Sequence, residues 1–478
     1  MDSNFIWITG GNESYLSMIE VLAKSLLKYS KHKLIVYGFN CNSTIDLPNV
    51  INKRIDYIPK PTVNSTHEPD LFHKDYSIYF AKYLASLDSL EEKYNNFAWI
   101  DGDAFVTENI DTSLQYLSDL KDYPLFMKYF HEDINQWRYY KGIKLEGRYG
   151  NELSSIKNLK RNPNNKLIAT GFYFYDKRSK LFFEKCLEWN KELNQYSVKI
   201  YTDDNAFSEE RVANNVLWEE NKDLDLPITW NNYYSSKDET LVNPYFLKQG
   251  FDVMYDKLTL KPYFIHGPDP SVKPKNAETL NQAFNDYQSK KLMIVSHPDD
   301  ELIFGGAELI KYGSEYKVIC LTNKLNEIRS KEFKKVMEKL NVRSWEMFDY
   351  EDTLTPTQQF DLKDILKSRK WEKIVTHNPI GEYGHPQHKL VFDTILNLTN
   401  DFYVFGKSLQ KLDQNILDAK NNLLTLYTSE TPIINQLLTN NGDWFKSNCP
   451  STNYIEHECI EKYDISKDKD NYIKCYEK

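Results

Sequence analysis

The sequence predicts an α/β protein of two domains. Apolar runs of strand length alternate with amphipathic helical runs from residue 5 onward, and the alternation begins afresh at Lys291. In both halves acidic residues cluster directly after a strand. At 478 residues the chain exceeds what one hydrophobic core organises. The boundary is expected near residue 289, giving domains 1–288 and 289–478.

In the first half, FIWIT reads as a strand and SMIEVLAKSLLKYS as a helix with Met18, Leu22, Ser25/Leu26 and Tyr29 on one face. KLIVYGF is the next strand, which completes a β-α-β unit. A helix near SIYFAKYLASLDSLEEKY leads into NFAWIDGDAFV, whose strand ends before Asp101, with later strands at KLIATGFYFYD, FDVMYD and YFIHG. The segment DPSVKPKNAETLNQAFNDYQSKK reads as a linker and a short helix.

The second half runs KLMIVS strand, ELIFGGAELIKYG helix, YKVICLTN strand, EIRSKEFKKVMEKLNV helix, SWEMFDY strand, LKDILKSR helix, EKIVTHNP strand. That order predicts a second doubly wound sheet. A strand near FYVFG and a helix near DQNILDAKNNLLTLYTS follow, and the polar tail beyond about residue 440 has no periodicity to assign.

Composition narrows the function classes. The formal charge is -9 with no Lys/Arg block, which disfavours nucleic acid as a partner. No window approaches a membrane span and the N-terminus lacks a basic, apolar leader, so a cytoplasmic protein without a transmembrane segment is expected. The six cysteines show no C-x-x-C spacing, which argues against a zinc finger or a disulfide framework and for reduced thiols. Aromatic residues make up 14%, including 34 Tyr and 9 Trp, a content suited to stacking against sugar rings.

Ligands of open α/β sheets bind beyond the carboxyl ends of the strands. SHPDDELIFGGAEL lies there after KLMIV, and THNPIGEYGHPQH reaches the same edge after EKIV. The first loop offers a His and carboxylates; the second offers His377, His385 and His388. Together they suffice for a His-Asp-His metal set with an open position for water. Of two adjacent aspartates, one can coordinate while its neighbour stands beside the water as general base. For HPDD taken alone, a helix N-cap is the competing explanation.

HPDDE after a strand, Arg329 and Glu332 in RSKE, and GEYGHPQH after a later strand resemble the PIG-L/LmbE family of zinc-dependent N-acetylglucosaminyl deacetylases. The similarity covers roughly residues 290 to 430, including KNNLLTLYTSE, similar to a late K-x-x-A-L-x-x-H/Y-x-S-Q segment. The resemblance implies a Rossmann-like domain in which His297, Asp300 and His388 hold zinc and Asp299 is the general base. His385 would stabilise the oxyanion and Arg329 would reach the substrate. One position departs: Gln387 stands where the family usually has Asp. It can hydrogen-bond but supplies no charge, which predicts reduced activity or a pH optimum moved to the acid side.

In the first half, Asp101 and Asp103 follow a strand with Gly between them, a spacing that lets two carboxylates share a divalent ion. ITGGNESYLSMIEVLAKSL, AWIDGDAFV, ATGFYFYDKRS, YTDDNAF and YFIHGPDPSVKP follow the order of a GT-A glycosyltransferase, most like family 8 enzymes. The resemblance spans roughly residues 5 to 275 and implies manganese or magnesium on Asp101, Asp103 and His266. It also implies phosphate binding by Lys273, nucleotide contacts near Thr9 and Tyr15, and Asp204 beside the acceptor or donor sugar. The late element departs from H-x-G-x-x-K-P-W: His266 directly precedes Gly267, and Pro274 is followed by Lys275. For Asp203 and Asp204 a helix cap is the alternative, and for His266 a hydrogen-bonded loop histidine.

The expected function is a bifunctional enzyme of glycan assembly. The first half would transfer a sugar from a nucleotide donor, a UDP-sugar by resemblance, to a glycan or glycoconjugate acceptor. The second would remove acetyl from an N-acetylhexosamine, N-acetylglucosamine by resemblance. Two rivals stand beside it: a hydrolase of another acetamide conjugate, and a deacetylase with a non-catalytic sugar-binding first half.

Overall fold

The protein is described here by a computed structural model. The structure describes residues 4–57, 77–129, 168–195, 277–351, 354–408, 410–439 and 455–464, with residue 466 and short pieces between 212 and 267. The chain divides into two compact units, Met1–Asn281 and Gln282–Lys478. The second unit therefore takes in the last turns of a helix that a boundary at residue 289 would leave with the first. Both units are mixed α/β.

The first unit begins with β1 (Phe5–Gly11), α1 (Leu16–Tyr29), β2 (Leu34–Phe39) and β3 (Val50–Ile55). Then come α2 (Ser77–Ser89), β4 (Asn96–Ile100), β5 (Ala104–Val106), β6 (Leu125–Tyr129), β7 (Ile168–Asp176) and α3 (Lys180–Gln195). The strands β8 (Ile228–Asn231), β9 (Asp252–Asp256) and β10 (Pro262–His266) complete a ten-stranded sheet. Its order is β3-β2-β1-β4-β7-β6-β8-β9-β10-β5.

β1 pairs in parallel with β2 on one side and β4 on the other, so the winding direction reverses beside β1. Phe5, Ile6, Trp7 and Ile8 are buried throughout, the continuous apolar run that a strand covered on both faces needs. Within NFAWIDGDAFV the strand ends at Ile100, so Asp101 and Asp103 follow it directly as expected. The chain turns at Asp101–Asp103, where Asp101 N–H bonds to Gly171 O and Asp103 O accepts from Gly267 N–H. The piece after the turn crosses to pair antiparallel with β10, in a register that sets Ala104 opposite His266.

The second unit contains α4 (Ala277–Gln288), which begins just before it, then β11 (Lys291–Val295), α5 (Asp300–Tyr312), β12 (Tyr316–Cys320), α6 (Glu327–Lys339) and β13 (Ser344–Met347). It continues with α7 (Pro356–Lys367), β14 (Lys373–Thr376), α8 (Pro386–Leu398), β15 (Tyr403–Lys407), α9 (Gln414–Leu424), α10 (Thr431–Thr439) and β16 (Glu458–Lys462). The sheet order is β13-β12-β11-β14-β15-β16, parallel except for β16. The switch point lies between β11 and β14, and the two loops rich in His and Asp both leave from it.

α7 starts earlier than the expected LKDILKSR, because Thr355 and Gln358 form a reciprocal capping box with Pro356 in the first turn. Part of the unassigned tail is structural. β16 closes the sheet edge, and Glu458 reaches inward to accept from Ala307 N–H and to pair with Lys420, whose ammonium also donates to Ile303 O at 2.8 Å. Both charges are buried and every contact is polar, the condition under which a buried ion pair is tolerated. Among the described residues, no helix is long and apolar enough to cross a membrane. Cys41, Cys186, Cys320 and Cys459 are free thiols.

Candidate functional site

Strand β11 ends at Val295, and the next residues build one wall of the C-terminal site. Asp299 adopts φ 114, a left-handed conformation rare for a side chain larger than glycine, and α5 starts immediately after it. The turn aims the two neighbouring carboxylates differently. Asp300 Oδ2 accepts from His297 N–H at 2.8 Å and lies 3.4 Å from His297 Nδ1 and 3.2 Å from His388 Nε2. Asp299 instead lies beside Arg329, with Oδ1 3.6 Å from Nη2.

The other wall is the loop after β14. Gly381 has φ 68, and a Cβ there would lie 2.6 Å from His385 O, so this turn requires glycine. Glu382 follows at φ 55, buried. Its Oε2 lies 2.6 Å from His388 Nδ1 and 3.0 Å from His377 Nδ1, while its Oε1 accepts from Asn378 N–H at 2.8 Å. One buried carboxylate thus orients two imidazoles.

The two histidines then part company. His377 Nε2 accepts the Ser296 N–H at 2.9 Å, so its remaining lone pair is used in tying the loop to the end of β11. His388 Nε2 is buried with no hydrogen-bond partner and faces Asp300. A buried nitrogen lone pair beside a carboxylate fits a cation.

Ligating atoms of His297, His385 and His388 lie within 4.8 Å of one another, as do those of Asp300, His377 and His388. The expected triple His297, Asp300 and His388 is divided between these two groups, and His377 Nε2, at 3.6 Å, lies nearly as close to Asp300 Oδ2 as His297 and His388 do. Two imidazoles and a carboxylate are a donor set that suits zinc.

The electrostatics follow from burial and neighbours. Burial pushes the Asp300 carboxyl up, but His388, His297 and His377 together hold it well below the usual range. Glu382 is held at about 2, because the two histidines outweigh its burial. Burial and Asp300 raise Asp299 well above an ordinary aspartate, against the pull of Arg329. A base with raised proton affinity next to a metal site is what proton abstraction from water requires.

His385 caps α8, its Nδ1 accepting from Gln387 N–H at 3.3 Å. That bond leaves the proton on Nε2. Burial, with His388 and His297 nearby, lowers the imidazole to about 4. The Gln387 side chain turns away from His385. Its Nε2 donates to Glu351 O at 3.4 Å, so no side chain at 387 supplies the charge an Asp would.

Glu382, Glu301, Tyr427 and Glu430 were not assigned roles from sequence. Glu382 had a signal in its position between two glycines of GEYGH. Glu301, fully buried, accepts from Asp299 N–H at 3.1 Å and from Tyr427 O–H at 2.6 Å, bracing the strained turn. Glu430 lies 3.2 Å from Arg329 Nε, which no local pattern announces.

In the N-terminal unit, Asp101, Asp103 and His266 also form a group with ligating atoms within 4.8 Å. His266 Nε2 is 3.0 Å from Asp103 Oδ1 and 3.9 Å from Asp101 Oδ2. Gly171 makes room: a Cβ there would stand 3.4 Å from Asp101 Oδ2 and 3.6 Å from the His266 ring. Asp101 Oδ1 is engaged by Trp99 Nε1–H at 2.7 Å and by the buried Lys82 at 3.1 Å, a cation missed in sequence because it sits mid-helix among apolar residues. Thr9 is buried near this turn, 3.7 Å from where a Cβ on Gly102 would be, and Tyr15 is half-buried over Gly11. Asp204 and Lys273 lie outside the described residues.

The model of one family, PIG-L, described as GlcNAc-PI de-N-acetylase, matches residues 292–399, a span that holds both loops of the C-terminal site. The C-terminal unit belongs to the PIG-L family. The chain is also 33% identical over 171 residues to the uncharacterised protein L374 of Acanthamoeba polyphaga mimivirus, covering 31% of this chain and 75% of that one. Two solved structures are similar at low scores. The conserved protein TT1542 from Thermus thermophilus has TM-score 0.27 and 15% identity over 32% of this chain and 86% of its own. N,N'-diacetylchitobiose deacetylase from Pyrococcus horikoshii has TM-score 0.28 and 18% identity over 37% of this chain and 86% of its own.

Within this PIG-L unit the buried Glu301 carboxyl gives a pH signature. Burial raises it to about 7 against 4.5 in an open chain, so between those values the folded state keeps a proton the unfolded state has lost. Stability should therefore fall as pH rises through this window, by roughly 3 kcal/mol in all. In metal-free protein, urea denaturation of Glu301→Gln at pH 5 and pH 8 should show the variant gaining on the parent at pH 8 by most of that amount. An equal difference at both pH values would contradict it.

Proposed function

We propose that the C-terminal unit is a zinc-dependent hydrolase of the acetamide of an N-acetylhexosamine, N-acetylglucosamine in the first instance. The observation that carries this is the approach of Asp300 Oδ2 to 3.4 Å from His297 Nδ1 and 3.2 Å from His388 Nε2, with Asp299 lying beside Arg329 instead. Membership of a family described as a de-N-acetylase supports it.

His297, Asp300 and His388 would hold a zinc ion, which would supply Lewis acidity and lower the pKa of a bound water toward about 7. The chain does the rest. Asp299, of raised proton affinity, takes the proton of the attacking water as the new C–O bond forms. His385, neutral with its proton on Nε2, donates that N–H to the oxyanion developing on the carbonyl oxygen. The proton held by Asp299 passes to the amide nitrogen, the C–N bond breaks, and acetate and an amine leave. The low proton affinity of His385, at about 4, keeps it neutral across ordinary pH.

For the N-terminal unit the reading is a metal-dependent glycosyltransferase using a nucleotide-sugar donor. It rests on Asp101, Asp103 and His266 meeting at the switch beside β1, where manganese or magnesium would neutralise a diphosphate leaving group. The product of one unit would be held at raised effective concentration for the other on the same chain.

Two variants test the pair. Asp299→Asn should abolish acetate release from N-acetylglucosamine and its conjugates while zinc, measured by atomic absorption, stays bound; undiminished turnover would remove its role as base. Asp103→Ala should lose manganese-dependent hydrolysis of nucleotide sugars in the full-length protein, and hydrolysis that survives it would count against a metal on Asp103.

A further inference from the structure

Arg329 lies beside Asp299 in the C-terminal site, and its surroundings are acidic. Its Nη2 donates to Pro298 O at 2.9 Å and lies 3.6 Å from Asp299 Oδ1, while its Nε lies 3.2 Å from Glu430 Oε1. The side chains of Arg329 and Glu430 are only 17% and 12% exposed, so water screens them less than a surface pair.

Glu430 is not a loose partner. It ends a short turn, Thr428–Glu430, that is fixed on both sides. Thr428 O–H donates to Glu332 at 2.6 Å, Ser429 N–H donates to the same carboxylate at 3.1 Å, and Tyr427 O–H reaches Glu301. With its backbone held this way, the Glu430 carboxylate meets Arg329 at little entropic cost.

A guanidinium facing a sugar site commonly receives a phosphate or carboxylate through two parallel hydrogen bonds. Here Nη2 is held by the Pro298 carbonyl, and Asp299 and Glu430 neutralise the guanidinium as ion pairs, although Nε itself makes no hydrogen bond. An anion arriving at Arg329 would have to displace Glu430 and then sit beside Asp299.

We propose that Glu430 is a specificity-determining residue: by occupying Arg329 it restricts the site to N-acetylated sugars that carry no anionic group at that position. This deepens the deacetylase reading and rests on it for the identity of the substrate. Neutral glycans would be accepted, and sugars bearing a phosphate on the Arg329 side rejected.

The test is a double-mutant cycle on the zinc-loaded full-length protein, with inorganic phosphate as the probe in isothermal titration calorimetry. Phosphate bound through zinc is common to all four proteins, so the cycle reports Arg329 alone. Arg329→Met should leave phosphate affinity within about twofold of the parent, Glu430→Gln should raise it about tenfold, and the double variant should lose that gain. In parallel, Glu430→Gln should raise kcat/KM for N-acetylglucosamine phosphates relative to N-acetylglucosamine. A large loss of phosphate affinity on Arg329→Met in the parent would overturn the proposal without needing the Glu430 variant to fold, and so would no gain from Glu430→Gln. Failure of the deacetylase reading shows separately, as no acetate from either class of sugar while the phosphate cycle still reads the Arg329–Glu430 pair.

Discussion

The C-terminal site depends on one buried carboxylate shared by two imidazoles. Glu382 bonds to both His377 and His388, and each bond fixes which nitrogen carries the proton. His377 can then accept from Ser296 N–H, which ties the loop after β14 to the end of β11. His388 is left presenting a bare nitrogen to Asp300. Without Glu382 neither ring would have a carboxylate fixing its Nδ1 proton, and the seam between the two loops would rest on the Ser296–His377 bond. The left-handed backbone at Asp299 and Glu382 is what this arrangement costs, since neither residue would choose it in an unconstrained chain.

Most of this unit was legible because its signals are local. KLMIV and YKVIC are buried parallel strands that read as unbroken apolar runs, and the residues after such strands have little structural reason to be acidic. HPDD and the histidines of GHPQH were therefore visible as candidates. The supporting residues were not, because their partners are remote: Tyr427 meets Glu301, and Glu430 meets Arg329, across long stretches of chain. In the N-terminal unit NFAWI marked a strand ending before Asp101, but the course of AFV after the Asp101–Asp103 turn was not legible, because its partner β10 lies far along the chain. The tail was opaque for the opposite reason. β16 is an edge strand rich in charge, and what fixes Glu458 is Lys420 inside the core rather than any periodicity of its own.

The two units place their acidic residues by the same geometry. In each, a parallel strand has neighbours wound in opposite senses, β1 between β2 and β4, β11 between β12 and β14. Such a reversal opens a crevice at the carboxyl ends, and only the side chains set there decide the chemistry. Asp101, Asp103 and His266 form a hard, oxygen-rich set beside a lysine, suited to a cation that bridges phosphates. His297, Asp300 and His388 form a nitrogen-rich set suited to a cation that activates water.

The central claim is that the metal in the C-terminal unit is held by His297, Asp300 and His388, while His377 and His385 stay outside its shell. X-ray absorption at the zinc edge on protein loaded with one equivalent of zinc, compared between the parent and His388→Ala, addresses it most directly. The account predicts two imidazoles with oxygen donors in the parent and one imidazole in the variant. A sulfur ligand, three or more imidazoles in the parent, or a shell unchanged by His388→Ala would contradict it.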